Sequence, residues 1–140
     1  MVVIMGIGNS HRGDDKVGLH VAKMLEERGK ILLCDTDPLD FVEEICGEQP
    51  DILIIVDAVD AGREAGEIIQ VDEDMLNNLS VSTHHLPISL FLEFVRKCVG
   101  KIEIWGIQVK KVGFEDEMGD EVKKAADKLV KLLNYRLQKD

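Results

Sequence analysis

The sequence predicts an α/β fold, a three-layer αβα sandwich built on a mostly parallel, twisted sheet of about five strands. Short apolar runs rich in β-branched residues alternate along the chain with segments whose apolar residues recur at helical spacing. Strands that alternate with helices form a largely parallel sheet between helical layers. The 140 residues contain no repeat, linker or low-complexity stretch, so we expect a single domain over residues 1–140.

Five segments have the composition of strands. They are Val2 to Gly6, Ile31 to Cys34, Asp51 to Val56, Gly66 to Val71 and Lys101 to Gln108. The run that ends at Val56 is apolar throughout, which is typical of a central strand covered on both faces. The fourth segment is predicted to be an edge strand.

Four segments have apolar residues at helical spacing. The first begins at Asp14 or Asp15 and ends at Gly29, the second begins at Pro38 and ends at Gly47, the third begins at Pro87, and the last occupies the C-terminus. The residues expected to face the core are, in turn, Val17, Val21, Met24, Leu25 and Arg28; Leu39, Val42, Ile45 and Cys46; Ile88, Phe91, Leu92, Val95 and Cys98; and Val122, Ala125, Ala126, Leu129, Leu132 and Leu133.

Composition and charge exclude several classes of protein. A formal net charge of −10 repels phosphate backbones and argues against nucleic-acid binding. The apolar start of the chain is too short for a signal peptide or a membrane span, so we expect a cytoplasmic protein that does not interact with membranes. The cysteines are Cys34, Cys46 and Cys98; with no CxxC pair among them, we expect buried, reduced thiols.

Polar side chains follow the first three predicted strands. Gly6-Ile7-Gly8-Asn9 and then Asp14-Asp15 follow the first, Asp35 follows the second, and Asp57 follows the third. In parallel α/β sheets, ligands bind beyond the carboxyl ends of the strands, so these groups should share one rim. Ser82-Thr83-His84-His85 precedes a helix and joins them if its loop returns to that rim. Two carboxylates and an imidazole would form a metal site with open positions.

Each of these signals has an alternative interpretation. The glycines after the first strand suggest a nucleotide-binding domain without peptidase activity, but His11 stands where the third glycine of that fingerprint belongs. Asp14 and Asp15 would also repel a pyrophosphate from the helix start. The two acids could instead cap the helix, Asp57 could cap a turn, and His84 could lie in a solvated loop. The chain has no HExxH or GxSxG signature.

Taken in order, the segments resemble the nickel–iron hydrogenase maturation proteases over most of the chain. The matching segments are Gly6-Ile7-Gly8-Asn9 with Gly13-Asp14-Asp15 and Gly18; Ile54-Ile55-Val56-Asp57-Ala58; Gly66-Glu67-Ile68 with Val71-Asp72; Ser82-Thr83-His84-His85-Leu86-Pro87; and Trp105-Gly106-Ile107-Gln108 with Val112-Gly113-Phe114. Any one of them is weak, but five in the same order are specific.

The resemblance implies a function and a set of site residues. Members of the family are endopeptidases that remove a C-terminal extension from the hydrogenase large-subunit precursor after nickel insertion. By position, Asp15, Asp57 and His84 match the metal-binding residues, and Asp35 matches a further acid, which we assign as catalytic. The implied metal is nickel supplied by the precursor, and the implied partner is that precursor. The oligomeric state stays open.

Overall fold

A mostly parallel β-sheet forms the centre of the molecule, in a computed structural model that describes residues 1–9, 13–35, 37–78, 80–81, 88–110 and 117–139. Its strands are β1 (Val2–Ile7), β2 (Lys30–Cys34), β3 (Ile52–Asp60), β4 (Ile68–Val71), β5 (Ser80–Val81) and β6 (Lys101–Gln108). The main path has the order β2-β1-β3-β6-β4, and β5 pairs separately with β3. Only β4 runs antiparallel on the main path, at its edge.

Helices cover both faces of this sheet, which confirms the predicted α/β class. They are α1 (Val17–Met24), α2 (Val42–Glu48), α3 (Ile88–Val95) and α4 (Asp120–Lys139), with a short 3₁₀ turn, η1 (Asp14–Lys16), directly before α1. Helices α1 and α4 share one apolar core with Ile54 and Val56. Helices α2 and α3 share the other core with Leu53 and Ile55. Successive residues of β3 therefore point to opposite faces, and both faces are buried.

The strand order creates a topological switch point between β1 and β3. From β1 the chain moves to β2 through α1, on one face of the sheet, and then to β3 through α2, on the other face. The connection after β1 leads to β2 on one side of β1, whereas the chain after β3 continues to strands on the other side of β3. The loops at the carboxyl ends of β1 and β3 therefore separate and leave a crevice. Ligands of open α/β sheets bind in this position.

The structure corrects several predicted boundaries. Strand β3 continues to Asp60, so Asp57 lies within the strand and not after it. Helix α2 continues through Gly47 and ends where Gln49 adopts a left-handed conformation, with φ of 46°. Met24, the last residue of α1, and Leu132 on α4 are exposed. The other residues predicted to face the core on α4 are buried, and Val130 is buried in addition. The predicted core stripe of that helix is therefore confirmed except at Leu132.

The cysteine prediction is wrong for two of the three residues. Cys46 on α2 and Cys98, just after α3, form a disulfide with a Cα–Cα distance of 4.9 Å, within the usual range for such bonds. The two are 52 residues apart in sequence and meet because α2 and α3 pack on the same face of the sheet. Cys34 is a buried thiol, as expected.

None of the helices in the described ranges combines the length and apolar character that crossing a lipid bilayer requires.

Candidate active site

Helix α1 approaches the sheet closely because glycines line the contact. A Cβ atom on Gly18 would lie 2.2 Å from the carbonyl oxygen of Ile7 and 2.4 Å from that of Val56. A Cβ atom on Gly6 would lie 2.3 Å from the carbonyl oxygen of Gly18, and one on Gly8 would lie 2.2 Å from that of Asp15. Such distances exclude any side chain, so these glycines permit η1 and α1 to rest directly on β1 and β3.

This packing explains the glycine spacing without a nucleotide. The backbone of η1 and α1 already occupies the space that the missing side chains of Gly6 and Gly8 leave. In a dinucleotide fingerprint, one of these glycines would instead allow the pyrophosphate to approach the backbone. The spacing of Gly6 and Gly8, which suggested a nucleotide-binding domain, is therefore explained by helix packing.

Asp15 and Asp57 both lie near Gly18, at the switch point. Asp57 is the first residue of β3 beyond the pairing with β1, which ends at Gly6 and Val56, and its Cα would lie 3.1 Å from a Cβ on Gly18. Asp15 precedes Gly18 by one helical turn. Both acids are buried, with 9% and 3% of their surface exposed, and both interact with other groups of the chain.

The segment that contains His84 begins next to β3. Val81 pairs with Val59 and Ser80 with Asp60 in the short antiparallel contact between β5 and β3. Helix α3 begins at Ile88 and packs on the α2 face of the sheet. His84 itself, together with the rest of 82–87, lies outside the described residues, as does His11.

The sequence allowed either Asp14 or Asp15 to cap the first helix, but the Asp14 side chain does not cap it. The position before η1 is Gly13, and no side chain caps the turn. The carboxylate of Asp14 instead accepts a hydrogen bond at Oδ2 from the backbone N–H of Lys110, at 3.0 Å, and one at Oδ1 from that of Gly119, at 2.8 Å.

Asp35 is exposed and follows Cys34 at the carboxyl end of β2. Because β1 lies between β2 and β3, Asp35 is two strands, or about 10 Å, from β3 along the same rim. The carbonyl of Cys34 accepts the backbone N–H of Gly8 at 3.0 Å, which fixes the end of β2 against the loop after β1.

Gln108 has a role that sequence reasoning missed. This buried side chain accepts the backbone N–H of Ala61 at 2.7 Å and that of Arg63 at 3.3 Å, and it donates to the Asp60 carboxylate at 3.2 Å. The N–H of Gly62 and the Gln108 amide lower the pKa of Asp60. Gln108 thus anchors the turn that follows β3. A polar residue at the end of a predicted buried strand was the sequence feature that could have indicated this role.

The described residues contain no cluster of three or more His, Cys, Asp or Glu side chains able to hold a metal ion. Of the three residues that the sequence predicts as metal ligands, Asp15 and Asp57 lie within the described ranges and His84 does not. Carboxylate oxygens are suitable nickel ligands, and a site of two carboxylates and one imidazole leaves coordination positions open for a substrate.

Comparison with known proteins identifies the family. The family model for hydrogenase maturation proteases, HycI, matches residues 16–135. The hydrogenase 3 maturation protease of Escherichia coli K12 is 30% identical over 89% of this chain and 83% of its own length. A crystal structure of a nickel–iron hydrogenase maturation protease HycI from Thermococcus kodakarensis has a TM-score of 0.82 and 35% identity, covering 98% of this chain and 92% of that one. The solution structure of the endopeptidase HycI from Escherichia coli has a TM-score of 0.81 and 28% identity, covering 94% and 87%.

The family match spans the chain from η1 to the last helix, and the similar structures share its sheet and helices. This protein belongs to the hydrogenase maturation protease family of endopeptidases.

Proposed function

We propose that this protein removes the C-terminal extension of a nickel–iron hydrogenase large-subunit precursor and that it recognises the nickel already bound in that precursor. Asp15, Asp57 and His84 would contact the nickel of the substrate, and Asp35 would act on the scissile peptide. The metal is part of the substrate and not a resident cofactor.

The observation that carries this proposal is the pair of buried carboxylates at the switch point. Asp15 and Asp57 come from different segments of the chain, and both are buried near Gly18, where α1 contacts the sheet. Two buried acids at the expected ligand position of an α/β sheet support a cation-recognition role.

The contact between β5 and β3 supports the inclusion of His84. Val81 pairs with Val59, two residues beyond Asp57 on β3. Three residues of chain span at most about 11 Å, a distance that is compatible with the proposed contact between His84 and the nickel of the substrate.

The chemistry requires little of the protein beyond positioning and proton transfer. Contact with the precursor's nickel holds the scissile peptide near the rim, and good orientation lowers a reaction barrier by roughly 7–11 kcal/mol. Either a carboxylate removes a proton from the attacking water, or the nickel of the substrate polarises the peptide carbonyl. Asp35 is exposed at the same rim, where water can reach it, and is the carboxylate we assign to proton transfer.

Cleavage of a nickel-loaded large-subunit precursor tests the proposal. We expect the native protein to shorten the precursor by its C-terminal extension, measured by mass spectrometry, and to leave the nickel-free precursor intact. The variants Asp15→Ala, Asp57→Ala and His84→Ala should be inactive while their circular dichroism stays native.

Asp127→Ala is the matched control. Asp127 is an exposed carboxylate on α4, away from the crevice, so its loss should leave cleavage unchanged. Full activity of His84→Ala, or equal cleavage of the nickel-loaded and nickel-free precursors, would contradict the proposed recognition of nickel.

A further inference from the structure

We infer that Asp14 is a positioning residue, whose carboxylate ties β6 and α4 to η1 and thereby fixes the location of the Asp15 carboxylate in the crevice. The inference rests on the proposed function, because it assigns Asp14 to the support of a residue that we place in the recognition of nickel. It gives the two adjacent acids different tasks.

Three elements that are distant in sequence meet at the Asp14 carboxylate. The backbone N–H of Lys110, two residues beyond β6, donates to Oδ2 at 3.0 Å, and that of Gly119, directly before α4, donates to Oδ1 at 2.8 Å. The donors lie 96 and 105 positions from Asp14. Each carboxylate oxygen is therefore used to hold one end of the β6–α4 connection against η1.

Asp15 is held from the opposite side by the loop that follows β1. Its carbonyl oxygen accepts the backbone N–H of Asn9 at 3.1 Å, and Gly8 lies against the same oxygen. The turn η1 contains only three residues, so Asp15 is fixed between these contacts and the anchored Asp14. Any rotation of this turn moves the Asp15 carboxylate relative to Asp57.

The two hydrogen bonds require both oxygens of a carboxylate. An asparagine has one acceptor oxygen, and its NH₂ group would face the second backbone N–H, so Asp14→Asn loses at least one tie whichever way it is oriented. An alanine loses both. The expected order of effect is therefore alanine, then asparagine, then the native residue.

The alternative is a purely structural role, since the N–H of Gly119 precedes a helix and benefits from any acceptor. Steady-state cleavage of the nickel-loaded precursor separates the two roles when it is measured well below the melting temperature of every variant. We expect Asp14→Asn to lower kcat by about 10- to 100-fold, since a misplacement of about 1 Å has that effect, and to change KM by less than about threefold. Native kcat with a lowered melting temperature would overturn the inference.

Arg136→Met is the matched control for stability. It removes two side-chain hydrogen bonds to another carboxylate, that of Glu103 on β6, and lies outside the crevice. It should lower the melting temperature while kcat stays native.

A structural comparison decides the inference even if the precursor is not the substrate. Crystal structures of the native protein and of Asp14→Asn should show the Asp15 carboxylate displaced relative to Asp57 in the variant. If the two carboxylates superimpose, Asp14 does not position Asp15. Failure of the native protein to cleave the precursor would instead contradict the proposed function alone.

Discussion

Among the described residues, carboxylates are buried at two places in or against the sheet, and their surroundings differ. Under α4, Glu103 on β6 accepts hydrogen bonds from both terminal nitrogens of Arg136, at 2.6 Å each, and from Trp105 at 3.2 Å. At the switch point between β1 and β3, Asp15 and Asp57 are both buried near Gly18. Glu103 lies within β6 and is paired with a cationic side chain of the same protein, Arg136. Asp15 and Asp57 lie at the carboxyl ends of the strands, the edge where ligands of open α/β sheets bind.

The comparison teaches that burial of an acid is a weak sign of function and that its location in the topology is a stronger one. Burial raises the pKa of Glu103, but the hydrogen bonds from Arg136 and Trp105 outweigh this effect and hold the pKa below its usual value. Glu103 is thus a structural ion pair, even though it is as well buried as Asp57.

The largest expected effect comes from neutralising an acid of the crevice. Asp57→Asn should lower the cleavage rate by more than about 10²-fold, while the melting temperature stays equal or rises, because a buried amide costs less free energy than a buried carboxylate. Parallel cleavage assays and thermal denaturation measure both quantities. Equal losses of stability and activity would place Asp57 with Glu103, as a structural acid.

Removing the disulfide tests how much a covalent link between α2 and the end of α3 contributes to stability. Cys46→Ser with Cys98→Ser should lower the free energy of unfolding by about 2–4 kcal/mol, because the bond closes a long loop in the unfolded chain. Urea denaturation of the native protein with and without reductant provides the control. If the reductant has no effect, the covalent tie is absent in solution.

The Glu103 ion pair should contribute to stability alone. Arg136→Met retains an aliphatic side chain near Trp105 but leaves Glu103 without its two short hydrogen bonds. We expect a loss of about 2 kcal/mol in urea denaturation, at the lower end for a buried acid because the Arg136 side chain is 38% exposed. Native cleavage kinetics should accompany this loss, and a reduced kcat would show that the two regions are coupled.

The smallest expected effect is the pH dependence of that ion pair. Because the pKa of Glu103 is lower in the folded state than its ordinary value of 4.5, its contribution to stability is present above that pH and is lost as the pH falls through the folded-state pKa. The stability difference between the native protein and Glu103→Gln should therefore shrink below about pH 4.5. A difference that grows on acidification would contradict the pairing.

Strands were the most predictable part of this molecule. A parallel strand covered on both faces needs a continuous apolar run, and β1 and β3 each have one, whereas β6 was recognised by its alternation around Ile102, Ile104 and Ile107. The ends of the elements were less predictable. Helix α2 passes Gly47 because Gln49 adopts the left-handed conformation in its place, and β3 passes Asp57 because β6 still pairs with it, through Gly106.

The candidate site was predictable only as far as local sequence extends. The positions of Asp15 and Asp57 after apolar runs, together with the preference of ligands for the carboxyl ends of strands, place both acids at one rim. The contacts of Asp14 could not be predicted, since its donors, Lys110 and Gly119, lie some hundred residues away. The disulfide could not be predicted for the same reason, because it depends on how α2 and α3 pack against each other.

Gly18 has a consequence for mutational screens of this protein. It lies near both Asp15 and Asp57, and even one methyl group there would collide with the backbone of both β1 and β3. A loss-of-function substitution at this position would resemble an ordinary folding defect in a survey based on expression level. Its first effect, however, would be to push α1 away from the sheet and so to spread the two acids apart.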